Sequence, residues 1–417
     1  MTITLKKQNI GESIETAHTE LWHRFIGNDG LIHDYEGARP TPEECREGRP
    51  NAIGWWSPIE NGPMFTGLYL PTLCLRACQS GNNVDRDKTK RLAKGLLLTA
   101  SVSDVPGFIA RGVGTDGKCH YPLGSEDQTF PWFYGLHAYA MSGLPDKKER
   151  KQVVVKMCEV ADALEERNWQ CPCDGTFKGD HRGDFKNGQP FRASSHYLFI
   201  LRAMYDVTGE TVWLERYLRE RDGLHADTGR TRLDICSEGY PADFEYLPNI
   251  ETSLLWIYVG AQGALAQLVK MEPDEQIRSQ YQSGLNVNAE RALRFIDTYK
   301  GFENEVEDPF TYANWREGYE WEPQRTQTDA VRVALSGKRE IIGERKEYER
   351  RTVTHPLSAA AIVALAGKDL GFDLIERSIL HYDYSRVHLS EFFLAECAYY
   401  FSITHRNDKG WNHGDNR

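Results

Sequence analysis

The chain of 417 residues has no apolar run near the roughly 20 residues that a bilayer-crossing helix needs, so no membrane span is expected. Blocks of lysine and arginine are missing as well. With 50 basic against 61 acidic residues the formal charge is -11, which argues against nucleic acid as a partner. The opening stretch MTITLKKQNIGES lacks a signal-peptide apolar core. The expectation is a soluble chain, cytoplasmic as given, or periplasmic or secreted if a signal has been removed. GxSxG, kinase and P-loop patterns are absent. GVGTDG, starting at Gly112, has none of the strand, helix and acidic residue of a dinucleotide site. No cofactor is expected.

Nine cysteines are scattered without regular spacing. Cys74 and Cys78 lie one helical turn apart and Cys171 and Cys173 flank a proline, but the second spaced pair or offset histidines of a metal site are missing. They read as structural thiols, and no metal is expected. Tetratricopeptide- and ankyrin-type self-similarity is absent, which disfavours an open solenoid. A length prior suggests two or three domains. No Pro/Ser/Gly-rich linker divides the chain, however, so one domain over 1–417 is expected.

What the chain does contain is a rhythm. Apolar periodicity and breaker residues give twelve helix candidates, starting near Ile10, Met64, Arg86, Gln128, Asp146, Arg192, Thr211, Ile250, Asp274, Pro356, Gly371 and His388. Long connections (Gly27 to Pro63, Ser103 to Asp127, Asn168 to Phe191, Gly223 to Asn249, Lys300 to His355) alternate with joints of a few residues. If each tight joint closes an antiparallel hairpin, all long connections open on one face. Loops of that length are uncommon in compact domains and tend to be functional. The helices after long connections, rich in alanine and glycine as in LSAAAIVALAG, would be the inner ones. DKKERKQVVVKMCEVADALEER, from Asp146, reads as an outer, solvated helix. The last inner helix follows a short connection, Asp383 to Val387, so its side of the ring is expected to be poorly lined.

This all-α pattern resembles the (α/α)6 toroid, the six-hairpin barrel shared by many glycoside hydrolases, several polysaccharide lyases and the N-acylglucosamine 2-epimerase group. The resemblance spans the whole chain and rests on helix number, linker alternation and length. It implies a carbohydrate substrate held in a cleft at the barrel end formed by the long loops.

The second long connection and its helix (Pro106 to Gly143) gather Arg111, His120, Tyr121, Asp127, Gln128 and Trp132, with loop glycines at 107, 112, 114, 117 and 124. Ser125 and Gln128 have capping-box spacing. Asp127 is not needed for capping and would be held ionised by the helix N-terminus. The first long connection brings Trp55, Trp56, Glu60 and Asn61 to the next helix, the third brings His181, Arg192 and His196, and the fourth Glu238, Tyr240 and Glu251. The fifth brings Trp315 and His355. Tryptophan faces suit sugar C–H surfaces, although large aromatics are as often core.

Glycoside hydrolysis needs one protonated carboxyl and one ionised carboxylate. The sequence nominates Asp127 as base and Glu60 as acid, on the expectation that Trp55 and Trp56 desolvate Glu60, with Glu238 and Glu251 in reserve. A lyase acting on a uronate would instead use His120 or Tyr121 with Arg111, His181 and Arg192. A 2-epimerase relying on paired histidines, or a glycan-binding toroid without catalysis, completes the alternatives. An oligosaccharide or polysaccharide fragment, with or without uronate, is the substrate in the hydrolase reading.

Overall fold

The computed structural model describes residues 9–241, 255–305, 315–317, 320–367 and 371–408. It is mostly helical, 65% helix against 4% strand. All twelve candidate helices are present, as α1 (Ile10–Glu20), α3 (Gly62–Ser80), α4 (Asn83–Thr99), α5 (Glu126–Met141), α6 (Lys147–Glu166), α7 (Pro190–Thr208), α8 (Thr211–Arg221), α10 (Leu255–Met271), α11 (Glu275–Leu293), α13 (His355–Leu365), α14 (Phe372–His381) and α15 (Phe393–Asp408). Three more lie inside long connections: α2 (Pro42–Glu47), α9 (Arg232–Glu238) and α12 (Gln327–Glu349). Two short antiparallel strands, β1 (Gln170–Pro172) and β2 (His181–Asp184), form a hairpin in the third connection.

Burial separates the helices into two kinds. Every residue of α13 is buried, whereas α4 and α6 bury only one stripe. Contacts between the more buried helices run in a cycle: α3 on α5, α5 on α7, α7 on α10, α10 on α13, α13 on α15, and α15 back on α3. The others pack outside this cycle, α4 on α3 and α5, α6 on α5 and α7, α8 on α7, α11 on α10 and α13, α14 on α13 and α15, and α1 on α14 and α15. Small residues allow the closest crossing. A Cβ on Gly67 would sit 2.1 Å from the Pro131 carbonyl oxygen, and one on Gly135 would meet the Gly67 carbonyl at 2.8 Å. Each glycine therefore costs helix propensity of about 1 kcal/mol in exchange for backbone contact between α3 and α5.

The expected capping box at α5 does not form. The Ser125 side chain makes no cap hydrogen bond and instead accepts one from Arg111 Nη2 at 3.2 Å. Gln128 reaches across to α3, where its Oε1 accepts from the Met64 amide and its Nε2 donates to Asn61 Oδ1. Tertiary contacts have claimed both side chains, and they tie the leading ends of α3 and α5 together.

α12 is the largest departure from expectation. Its 23 residues contact β2 and the segments that lead into α3 and α15. Gln327 donates to the His181 carbonyl, Ala330 packs with Ile53, and Val333 and Ala334 pack with Trp56 and Trp315. Farther along, Lys346 reaches Glu60, and Glu349 accepts from the amides of His388 and Leu389. At 1.5 Å per residue the helix is roughly 34 Å long, enough to reach from β2 to the segment before α15.

Candidate functional site

Two groups of buried polar side chains meet under α12. The first is rich in carboxyls: Asp34 from the first long connection, Glu60 just before α3, and Glu391 just before α15, respectively 2%, 8% and 4% exposed. Asp34 accepts from the Asn61 amide at 2.8 Å and from Asn61 Nδ2 at 2.6 Å. Lys346, also buried, places Nζ 3.6 Å from Glu60 Oε2. Burial raises all three carboxyls, and the local charges then divide them. Lys346, Arg350 and Arg111 outweigh burial at Glu60 and hold it below the usual carboxylate range. Asp34, which feels burial plus the charges of Glu60 and Glu391, is pushed well above it. Glu391 is raised too, chiefly by burial. Like charges crowded together in low dielectric cannot all ionise, so the cluster separates into ionised and protonated members.

The charges around Glu60 thus favour its ionised form, against the protonated acid expected from its tryptophan neighbours. Trp56 desolvates it, but the Trp56 amide also donates to Glu60 Oε2 at 3.4 Å, and a lysine invisible to the local sequence supplies the counter-charge. Trp56 itself has φ 83°, a left-handed conformation costly for a bulky residue. Its carbonyl accepts from the Tyr35 hydroxyl, so two contacts hold the strained turn beside Glu60.

The second group is rich in arginine. Asp127, in the first turn of α5, keeps 34% of its side chain open and pairs with Arg192 Nη1 at 3.1 Å. Burial raises its pKa, but Arg192, Arg111 and Arg182 together bring it below the usual carboxylate value. The charges that favour the ionised form of Asp127 are thus arginines. Glu126 receives Arg192 Nε at 3.4 Å and His196 Nδ1 at 3.0 Å. His196 stacks on Phe130 with centroids 3.6 Å apart, and burial keeps its pKa low. With Nδ1 donating to Glu126, Nε2 carries the lone pair, and this buried atom has no partner.

Arg111 joins the two groups. It is 3% exposed and donates from Nη1 to the Glu60 carbonyl, from Nε to the Leu123 carbonyl and from Nη2 to Ser125. Burial, followed by the nearby Arg182, lowers its pKa to about 10. Around both groups, buried polar atoms without hydrogen-bond partners accumulate at the leading ends of inner helices: Ser194 Oγ and His196 Nε2 on α7, Thr354 Oγ1 and His355 Nδ1 at α13, and Ser390 Oγ and Glu391 Oε2 before α15. An unsatisfied buried polar atom costs about 1–3 kcal/mol. Repetition on three helices marks this end as built for something polar.

Several other nominated residues are placed elsewhere. Trp132 is core, donating from Nε1 to the Leu96 carbonyl of α4. Tyr240 is buried against Tyr258, and Trp315 is buried with Trp56. Tyr121 is fully buried, its hydroxyl donating to the Arg49 carbonyl, and burial raises its pKa far above the usual phenol. His120 faces oxygen with both nitrogens, the Lys118 carbonyl at 2.9 Å and Asp174 Oδ2 at 2.7 Å. Its pKa is raised despite burial, chiefly by Asp174. A ring donating from both nitrogens has no lone pair for proton abstraction, which removes His120 as a base. It lines a separate cavity of about 890 Å³ with Trp321 and Arg49. Glu238 is exposed and bound to Arg230. His181 is exposed on β2, and Glu251 lies outside the described residues. Trp55 stays half-buried, with the Arg182 guanidinium 5.8 Å from its ring centroid.

Asp34, Glu391 and Lys346 were not nominated from sequence. Asp34 is a single acid in a long connection, Lys346 sits in the charged run GERKEYERR, and Glu391 follows a connection too short to attract notice. Buried polar groups, Ser390 and Glu391, thus stand just before α15, where none was nominated. Among the described residues no group of three or more His, Cys, Asp or Glu is arranged to hold a metal ion. No helix among them is long and apolar enough to cross a membrane. No family model, curated protein or solved structure matches the chain.

Proposed function

We propose that the protein is a glycoside hydrolase built on a single (α/α)6 barrel, cleaving an oligosaccharide in the cup beneath α12. The cyclic contacts of six buried helices, each preceded by its own connection, support the barrel reading. The observation that supports the reaction is the division of the cup's carboxyls: arginines lower the pKa of the partly open Asp127, while burial raises that of Glu391, whose Oε2 has no partner among the described residues. Asp127 acts as the base or nucleophile, and Glu391 protonates the leaving oxygen. Glu60, Lys346 and Asn61 position that acid and its neighbour Asp34.

General acid or base groups typically contribute about 10²- to 10⁴-fold. Asp127→Asn and Glu391→Gln are each expected to reduce sugar release by that amount on an oligosaccharide panel, with binding retained by calorimetry. Wild-type turnover in both would remove the assignment.

One observation favours a second reading. The free Nε2 of His196, with Nδ1 fixed by Glu126, is a base poised for proton abstraction beside a carboxylate. A lyase working this way would generate a product with ultraviolet absorbance from the new double bond, and His196→Gln would abolish it.

A further inference from the structure

Three arginines surround Asp127, and they are not equivalent. Arg111 spends its donors on two carbonyls and Ser125, and Arg192 is paired with Asp127 and Glu126. The Arg182 side chain, on β2, has no hydrogen bond and no ion pair among the described residues. Its Nε is fully buried, and its guanidinium lies over the Trp55 ring. The residue as a whole is only partly buried, but Nε is withdrawn from water without an acceptor, which is costly. Burial accordingly lowers its pKa, with Asp127 pulling the other way. Arg111 is shared with Glu60 and Asp34 and Arg192 is shared with Glu126, so among the described residues Asp127 is the one carboxylate whose charge acts on Arg182. An acceptor placed on Arg182 would satisfy it and would stand beside the reacting carboxylate.

We propose that Arg182 is the specificity residue of this cup and binds the carboxylate of a uronate unit in the substrate. The guanidinium fork is planar and matches a carboxylate through two parallel N–H bonds, a match that an ammonium or amide does not reproduce. Trp55 holds the fork from one face and leaves its edge available to the ligand. This proposal rests on the reading of the cup as a sugar site and adds which sugar enters it.

The test is calorimetric binding of a glucuronate-terminated disaccharide, the same disaccharide with its carboxyl reduced to hydroxymethyl, and a 6-sulfated neutral analogue. The expected result is wild-type preference for the uronate of at least about tenfold. Arg182→Gln should reduce uronate affinity about 10- to 100-fold and leave the reduced sugar unaffected. Arg182→Lys, which keeps the charge but not the fork, should recover only part of the loss. Equal binding of uronate and reduced sugar by the wild type, absence of binding to either, or an Arg182→Gln protein that discriminates as well as wild type would overturn it. Preference for the sulfated analogue would overturn the carboxylate assignment. If uronate binding depends on Arg182 but no oligosaccharide is cleaved, hydrolysis fails while the recognition stands.

Discussion

Two of the polar networks among the described residues differ in completeness. Between α1, α3, α4 and α15, Glu396 accepts from the Tyr69 hydroxyl at 2.8 Å and contacts His18 Nδ1 at 3.1 Å. Lys88 contacts His18 Nε2 at 2.6 Å, and Arg76 joins the group through Asp85 at 3.2 Å and Glu15 at 2.7 Å. None of these side chains has a buried polar atom without a partner. Beneath α12, by contrast, unpartnered atoms recur on α7, at α13 and before α15. A network that satisfies itself holds helices together. One that does not is incomplete without a ligand, and its residual cost is the stability given up for function.

Substitutions can break this contrast, and the largest stability effect is expected at the complete network. Glu396→Ala leaves His18 and Tyr69 buried beside a missing acceptor, and should cost about 3–5 kcal/mol by chemical denaturation. Turnover per folded molecule should not change. A loss of activity in the folded fraction, or a cost below about 1 kcal/mol, would erase the distinction between the networks.

A smaller, pH-dependent effect is expected at the incomplete one. Burial lowers the His355 pKa to about 4, so the native state holds it neutral while the unfolded chain titrates near its ordinary value of about 6.5. Its contribution is complete above that value and is lost as pH falls through the folded pKa, by at most about 3 kcal/mol. Glu349, raised to about 7 chiefly by burial, works with the opposite sign, since its contribution fades as pH rises from 4.5 through 7. His355→Asn should therefore flatten the acid side of a stability profile between pH 6.5 and 4 and leave the Glu349 slope. An unaltered acid limb would mean that His355 is not held neutral.

How much of this was readable in the sequence depended on whether the signal was local. The twelve helices announced themselves because each carries its own apolar stripe. α13 is the clearest case, with small and aliphatic residues along its whole length. α12 was hidden by its charge: GKREIIGERKEYE, from Gly337, masks the helix, and the apolar residues that seat it, Val333 and Ala334, precede that run and pack with Trp56 and Trp315. Asp127 was legible as an acid left over after capping. Its counter-ions Arg111, Arg182 and Arg192 come from two connections and a helix, and the lysine that ionises Glu60 lies 286 residues away in the chain (346 minus 60). Ser125 and Gln128 show the converse, a local motif overruled by partners brought in by folding.

The most direct test of the claim that the incomplete network is a ligand site is hydrogen–deuterium exchange with and without the glucuronate-terminated disaccharide. Protection is expected at residues 58–64, 122–130, 180–196, 351–358 and 388–394, with no change in α1 or the second half of α3. Protection centred on α1, α4 and the Glu396 network, or unaltered exchange at the leading ends under saturating ligand, would contradict it.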